Sequence, residues 1–187
     1  LGANLFRESL NLWSVVFGRN IKKMGNYSFL GCASIDTNTI LASEPPTTKD
    51  LSLNADSCLL RVFKSSYSAY VKHAYWSKFS NISTLNTIHL DVNNAEWGTV
   101  QGAGYYDTNS DIIIFAQTAE GYEFMGWSDG VVDNPRSIVL NKDIKLTANF
   151  QEKIPSNIDI ASSPIVYYLK DGILYVVDDT LNYQIYD

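Results

Sequence analysis

Ten residues constrain this chain more than any others: Gly121-Tyr-Glu-Phe-Met-Gly-Trp-Ser-Asp-Gly130. Three glycines punctuate the stretch, and Tyr122, Phe124 and Trp127 stand between them. Glycine at this density disfavours a helix and permits tight turns and close backbone approach. Aromatic side chains between such glycines fill a core. The stretch therefore predicts a strand and turn within a small β-module, with Trp127 as a core residue. A glycine loop that cradles a ligand is the competing reading. The nearest candidate fingerprint, Gly102-Ala-Gly104, lacks both a third glycine and a following helix. On the packing reading, Trp127→Ala destabilises this module and leaves the region before it folded.

The flanking segments extend the β pattern. Ile88–Val92 alternates apolar and polar residues, which predicts a half-buried strand. Asn93-Asn94 begins a turn, and Gly98–Gly104 reads as one glycine-punctuated strand. Tyr105–Asp111 returns through a polar turn, and the β-branched run Ile112–Ala116 predicts a buried strand. Ser137–Leu140 and Ile144–Phe150 complete the sheet, with no helical period anywhere in the unit. The ordered positions are Gly98, Val100, Gly102, Gly104, Tyr106, Ala116, the 121–130 stretch, Pro135 and Leu146-Thr-Ala-x-Phe150. Together they resemble the divergent InlB B-repeat, a small β-rich module of bacterial cell-surface proteins. The resemblance implies a compact, largely antiparallel fold used as a spacer or stalk.

A second pattern occupies residues 1–87. The separation of Phe6 from Phe29 recurs between Ser9 and Cys32, between Leu12 and Ile35, and between Phe17 and Ile40. A period in the twenties with apolar residues at fixed offsets is the mark of a solenoid, in which each turn buries its apolar ladder on the next. Glu44-Pro-Pro-Thr-Thr48 is expected to stop that ladder, since two prolines remove backbone donors. Beyond it, Cys58–Phe63 reads as a strand and Ser65–Lys78 as a short helix. Tyr67, Tyr70, Val71 and Ala74 form one face of that helix, and Tyr75, Trp76 and Phe79 continue its apolar surface. Met24-Gly25, Ser28, Phe29 and Cys32, followed by the Pro-Pro-Thr loop and the exit Trp76, Phe79 and Ile82, resemble the last repeats and closing segment of BspA-type leucine-rich proteins.

The final residues form a third piece. Glu152–Asn157 reads as a linker. Pro164–Leu169, Asp171-Gly172 and Ile173–Val177 give a hairpin signal with Asp-Gly at its turn. Tyr183–Asp187 starts a further strand. The segment is similar to the opening of the C-terminal sorting domain of type IX secretion, a β-sandwich. Because Leu1 falls mid-pattern, the chain is expected to be a fragment of a longer one.

Charge divides the chain near the same boundaries. Residues 1–87 hold nine Lys/Arg against five Asp/Glu, whereas residues 88–151 hold three against nine. The net charge of −6 argues against a nucleic-acid binder. Lys22-Lys23 is the one basic doublet and reads as solvated surface. Cys32 and Cys58 lie in no CxxC pair, which argues against zinc. Buried free thiols are favoured over a bridge between them. His73 and His89 lack partners at metal-ligand spacing, and Asp107, Asp111, Asp129 and Asp133 match no EF-hand loop, so turn chemistry accounts for them. No cofactor or metal is expected.

The expected fold is mainly β: a leucine-rich solenoid end with a cap helix (1–87), an antiparallel β-module (88–151) and a linker with a partial sandwich hairpin (152–187). The resemblances imply a non-enzymatic cell-surface or secreted protein, exported from a Gram-negative bacterium of the Bacteroidetes type and outer-membrane associated. It would bind a host or neighbouring-cell protein through the solenoid. The alternatives are a purely structural stalk, or a carbohydrate-binding module. For the latter, the candidate ligand residues are Trp97, at the tip of an expected hairpin just before Gly98, with Tyr105 and Tyr106 beside it as an aromatic platform.

Overall fold

The computed structural model describes residues 1–153, 165–170 and 173–178; for the last two segments only the backbone is described. The fold is mainly β, as the pattern predicts. Four strands run parallel at the start: β1 (Ser14–Phe17), β2 (Thr37–Ile40), β3 (Leu59–Phe63) and β4 (Ile82–Val92). Ser14 pairs with Thr37, and Thr37 pairs in turn with Leu59. Leu60 then pairs with Ile82, at the same offset as Thr37 from Leu59.

That near-constant offset stacks the strands in rows that are apolar except at Asn38, which is buried in the first of them. One row runs Val15–Asn38–Leu60–Ile82 and another Phe17–Ile40–Val62. Ile40, Leu60 and Val62 are fully buried. The return loops stack too: the rings of Phe6 and Phe29 lie nearly parallel, 5.3 Å apart. Ser28, a small residue by its motif position, does more than fit. Its hydroxyl reaches the carbonyls of both Gly2 and Gly25, at 3.1 and 2.7 Å, so it ties one turn to the next.

Two expectations for this region need correction. Pro45-Pro46 does not stop the ladder, because β3 and β4 extend it. The prolines sit in a return loop, where their missing donors cost no strand bond. Pairing resumes at once, with Met24 N–H donating to Thr47 O and Thr47 N–H to Lys22 O. The helix α1 is also shorter than the apolar spacing suggests, spanning Tyr67–Lys72. His73 is already extended, and Tyr67 stays exposed, so only Tyr70 of the helix is buried. A 3₁₀ turn at Trp76–Lys78 does the remaining packing. Trp76 Nε1 donates to Pro46 O at 2.9 Å, and the Tyr70 hydroxyl donates to Ala42 O at 3.1 Å. Both rings thus bury their bulk on the preceding loop and satisfy their polar atoms there.

The second region comprises β5 (Gly98–Gln101), β6 (Gly104–Asp107), β7 (Ser110–Thr118), β8 (Tyr122–Trp127), β9 (Arg136–Leu140) and β10 (Ile144–Glu152). β5, β7 and β9 make an antiparallel sheet. β8 pairs antiparallel to β10, and β10 pairs parallel to β4. Gly98–Gly104 is therefore not one strand. Gly102, at φ 97°, turns the chain from one sheet into the other. The expected polar return through Tyr105 is itself a strand, β6. Nor is Ile112–Ala116 buried on both faces: Ile112, Ile114 and Ala116 are buried, while Ile113 is 68% exposed. The core between the sheets gathers these buried residues with Ile88, Leu90, Trp127, Leu140, Leu146, Ala148 and Phe150.

The two regions share β4. The Asn81 carbonyl just before it and its Leu85 carbonyl accept from Leu60 and Lys64 beside β3, whereas its Thr84 carbonyl accepts from Thr108 beside β6. Backbone groups alternate edges along a strand, so β3 and β6 flank opposite edges of β4. Asn93 N–H donates to Ala148 O, which puts β10 on the same edge as β3, further along. The predicted boundary between residues 87 and 88 thus falls inside one continuous strand.

At the C-terminal end, β11 (Ile165–Lys170) and β12 (Ile173–Asp178) pair antiparallel, as the hairpin signal predicts. Asp171-Gly172 and the predicted strand Tyr183–Asp187 lie outside the described residues.

Candidate functional site

The three candidate ligand residues go to three different settings. Trp97 is half-buried, packs against the module core and stacks on Tyr122, with ring centroids 5.4 Å apart and planes 19° from parallel. Tyr105 and Tyr106 are neighbours on β6, so their side chains leave opposite faces of the sheet. Tyr105 packs edge-on against Phe63 of β3 at 6.3 Å. Tyr106 turns inward, donates its hydroxyl to Gly102 O at 3.1 Å and lies against Gly104. Trp97 is thus joined to Tyr122, which the sequence assigns to the core and not to a platform. The stack depends on β8 and the 94–97 turn meeting in space.

The opening stretch behaves as packing material. Trp127 is 2% exposed, and its Nε1 donates to Asp133 O at 3.1 Å. Phe124 meets Trp127 and Phe150 edge-on. The turn that follows is held by Asp129, whose two oxygens accept from Arg136 at 2.8 Å each. The hydrogen bond from Arg136 holds the Asp129 carboxyl below the usual carboxylate range.

Other polar residues weighed from sequence are absorbed by the fold. Asp107 accepts both arms of the Arg61 guanidinium, at 3.1 and 2.7 Å, which links β6 to β3. Asp91, near the end of β4, lies 3.2 Å from Lys145 and 3.1 Å from His89. The Lys145 hydrogen bond is the main cause of its lowered pKa. His73 Nδ1 accepts from Tyr75 N–H, so it shapes the exit from α1. Cys32 and Cys58 are both free and buried. The Cys32 thiol reaches Phe6 O on the preceding turn at 2.9 Å. Burial, and then the charge of Asp36, push the Cys58 thiol up to about 11.

The join between the regions is densely hydrogen-bonded. Besides Arg61–Asp107, the Thr84 and Thr108 hydroxyls lie 2.7 Å apart, and Thr108 Oγ1 donates to Asn86 Oδ1 at 2.7 Å. Lys64 Nζ donates to Asn141 O at 3.0 Å, and Thr87 N–H donates to Asp143 Oδ1 at 2.7 Å. Parts of the chain that are far apart in sequence converge on this one place.

Residues 88–154 match the divergent InlB B-repeat domain family. The match coincides with the second region, from the middle of β4 to just past β10. InlB B-repeat-like domains are typical of surface proteins. No curated protein and no solved structure matches the chain. No helix among the described residues is long and apolar enough to cross a membrane.

Proposed function

We propose that this chain is a non-catalytic, surface-presented binding segment. Its parallel ladder is the end of a leucine-rich solenoid of the BspA type, and its B-repeat-like module is the spacer that carries it. The partner is a protein on a host or neighbouring cell. The observation that carries this reading is the near-constant register of β1 to β4, fused through β4 to the family-matched module. In solenoids, recognition uses the extended face built from successive strands. Here the row Val16–Thr39–Arg61–Ser83 opens at its first strand, where Val16 is 54% exposed, while Thr39 is buried and Arg61 holds Asp107. Export through a type IX sorting domain beginning in the C-terminal hairpin, and outer-membrane association in a Gram-negative cell, complete the proposal.

The test is a binding measurement on immobilised chain against purified extracellular-matrix proteins, with Val16→Asp as the strand-face variant. Saturable binding to one of them that Val16→Asp weakens supports the proposal. Binding unchanged by Val16→Asp, or none at all, counts against it. A carbohydrate-binding reading keeps one specific support, the stacked Trp97–Tyr122 pair, whose rings are only partly buried. Glycan-array binding abolished by Trp97→Ala would establish that reading in its place.

A further inference from the structure

β3 leaves the edge of β4 after Phe63 pairs with Leu85, and β10 takes over that edge when Ile144 pairs with Ile88. The gap at this changeover is a cavity of about 320 Å³. Its lining combines Arg19, Lys22, Ser43, Phe63 and Ser65 from the ladder with Asp143 from the module. The cavity exists only because the two regions are joined, and junctions of this kind are favoured places for small ligands.

The chemistry of the lining is specific. The Arg19 guanidinium lies 4.8 Å from the centroid of the Phe63 ring, a cation–π contact that fixes its position. Neither Arg19 nor Lys22 forms an ion pair among the described residues, whereas nearby Arg61 holds Asp107 and Lys64 holds the Asn141 carbonyl. Both side chains are solvent-exposed, as the reading of Lys22 as surface expects, and they stand at the edge of the cavity, where two cations without an ion-pair partner among the described residues favour a bound anion. Asp143 sets a limit on that anion. One of its oxygens accepts from Thr87 N–H, and its charge disfavours a second negative group such as a phosphoryl dianion. Its other oxygen, with the Ser43 and Ser65 hydroxyls, suits the hydroxyl groups of a ligand.

We propose that this cavity binds the ring of an acidic sugar, a uronate or a sialate. The carboxylate sits between Arg19 and Lys22, and ring hydroxyls face Ser43, Ser65 and Asp143. This goes beyond the protein-binding role proposed for the strand face, and it stands or falls separately, because none of these residues belongs to the Val16–Ser83 row.

The experiment is titration of the full chain with methyl glucuronoside and methyl sialoside, followed by ¹H–¹⁵N NMR, with acetate and methyl glucoside as controls. Saturable shifts at the Arg19 side chain and the Ser65 amide are expected with one of the acidic sugars. Arg19→Gln should weaken that binding about tenfold, equivalent to removing one charge-assisted hydrogen bond. Lys22→Gln provides a second variant with the same expected direction. Wild-type spectral dispersion in both variants separates lost binding from lost fold. No saturable shift with either acidic sugar overturns the proposal. So does an equal response to acetate or to methyl glucoside, or binding indifferent to both substitutions.

Discussion

The ladder and the module solve the same burial problem in opposite ways. The ladder repeats one solution along its axis: Phe6 lies on Phe29, Phe17 pairs with Ile40, and Val62 follows Ile40. Its core is a set of rows at a near-constant offset, of which the first step, from Phe17 to Ile40, is visible in sequence. The module closes two sheets over a core whose members recur at no fixed interval, from Ile88 to Phe150. There the glycines and Trp127 carry the information, because they mark where the backbone must turn or approach closely. A repeat can be extended by adding a turn, whereas a closed pair of sheets cannot. The two are nonetheless one sheet where β4 passes from the first to the second.

The largest effect expected of a single substitution comes from the two buried indoles. Trp127→Ala and Trp76→Ala each remove a fully packed ring and orphan a carbonyl, at a cost of about 3–5 kcal/mol. Sequence alone predicts that Trp127→Ala spares the ladder. With β4 shared, both substitutions should instead lower one common transition in urea. Two separated transitions in either variant would restore the independent-module reading.

Gly98→Ala comes next. A Cβ there would lie 2.5 Å from Gln117 O and 2.6 Å from the Phe150 ring. Overpacking against backbone and core predicts a loss of about 1–3 kcal/mol, measurable as a lower urea midpoint. An unchanged midpoint would show that the module core is looser than the rows of the ladder.

The join itself should be weaker than either core. Arg61 and Asp107 are 26% and 50% exposed, so their ion pair is worth about 0.5–1 kcal/mol despite its two-pronged geometry. A double-mutant cycle with Arg61→Ala and Asp107→Asn gives the coupling directly. A value near zero would leave the shared strand to hold the regions together without this pair.

The thiols provide a gentler probe of the ladder. Cys58 is fully buried, and its raised pKa of about 11 means that the folded state disfavours the thiolate. Its contribution to stability is present below the unfolded-state value of 9.0 and is lost as pH rises through about 11. In the folded chain near neutral pH, Cys58 should be inert to a thiol reagent that labels the urea-unfolded chain fully. Rapid labelling without denaturant would mean that the ladder opens locally around β3.

What can be read from sequence follows the same divide. The evenly offset pairs from Phe6–Phe29 to Phe17–Ile40 place the ladder turns, and Gly121–Gly130 places the module, because each signal is local or strictly periodic. The Pro-Pro loop misleads because proline is damaging in a strand and harmless in a return loop. A linear pattern does not distinguish the two before the register is known. Gly98–Gly104 reads as one strand because Gly102 does not declare its positive φ in sequence. The pattern cuts β4 at residue 88 because its two halves bury against different partners, so charge and apolar spacing change midway. The Trp97–Tyr122 stack and the Arg19–Phe63–Asp143 cavity are not legible, since each unites residues distant in the chain.

β4 puts the ladder and the module in one sheet, and hydrogen exchange pulsed across a urea series reads that coupling strand by strand. Peptides from β2 and β3 report the ladder, and peptides from β7 and β10 report the module. One midpoint is expected for all of them, with β4 losing protection at the same denaturant concentration. Two midpoints, with β4 following only one region, would show that the shared strand does not couple the ladder to the module.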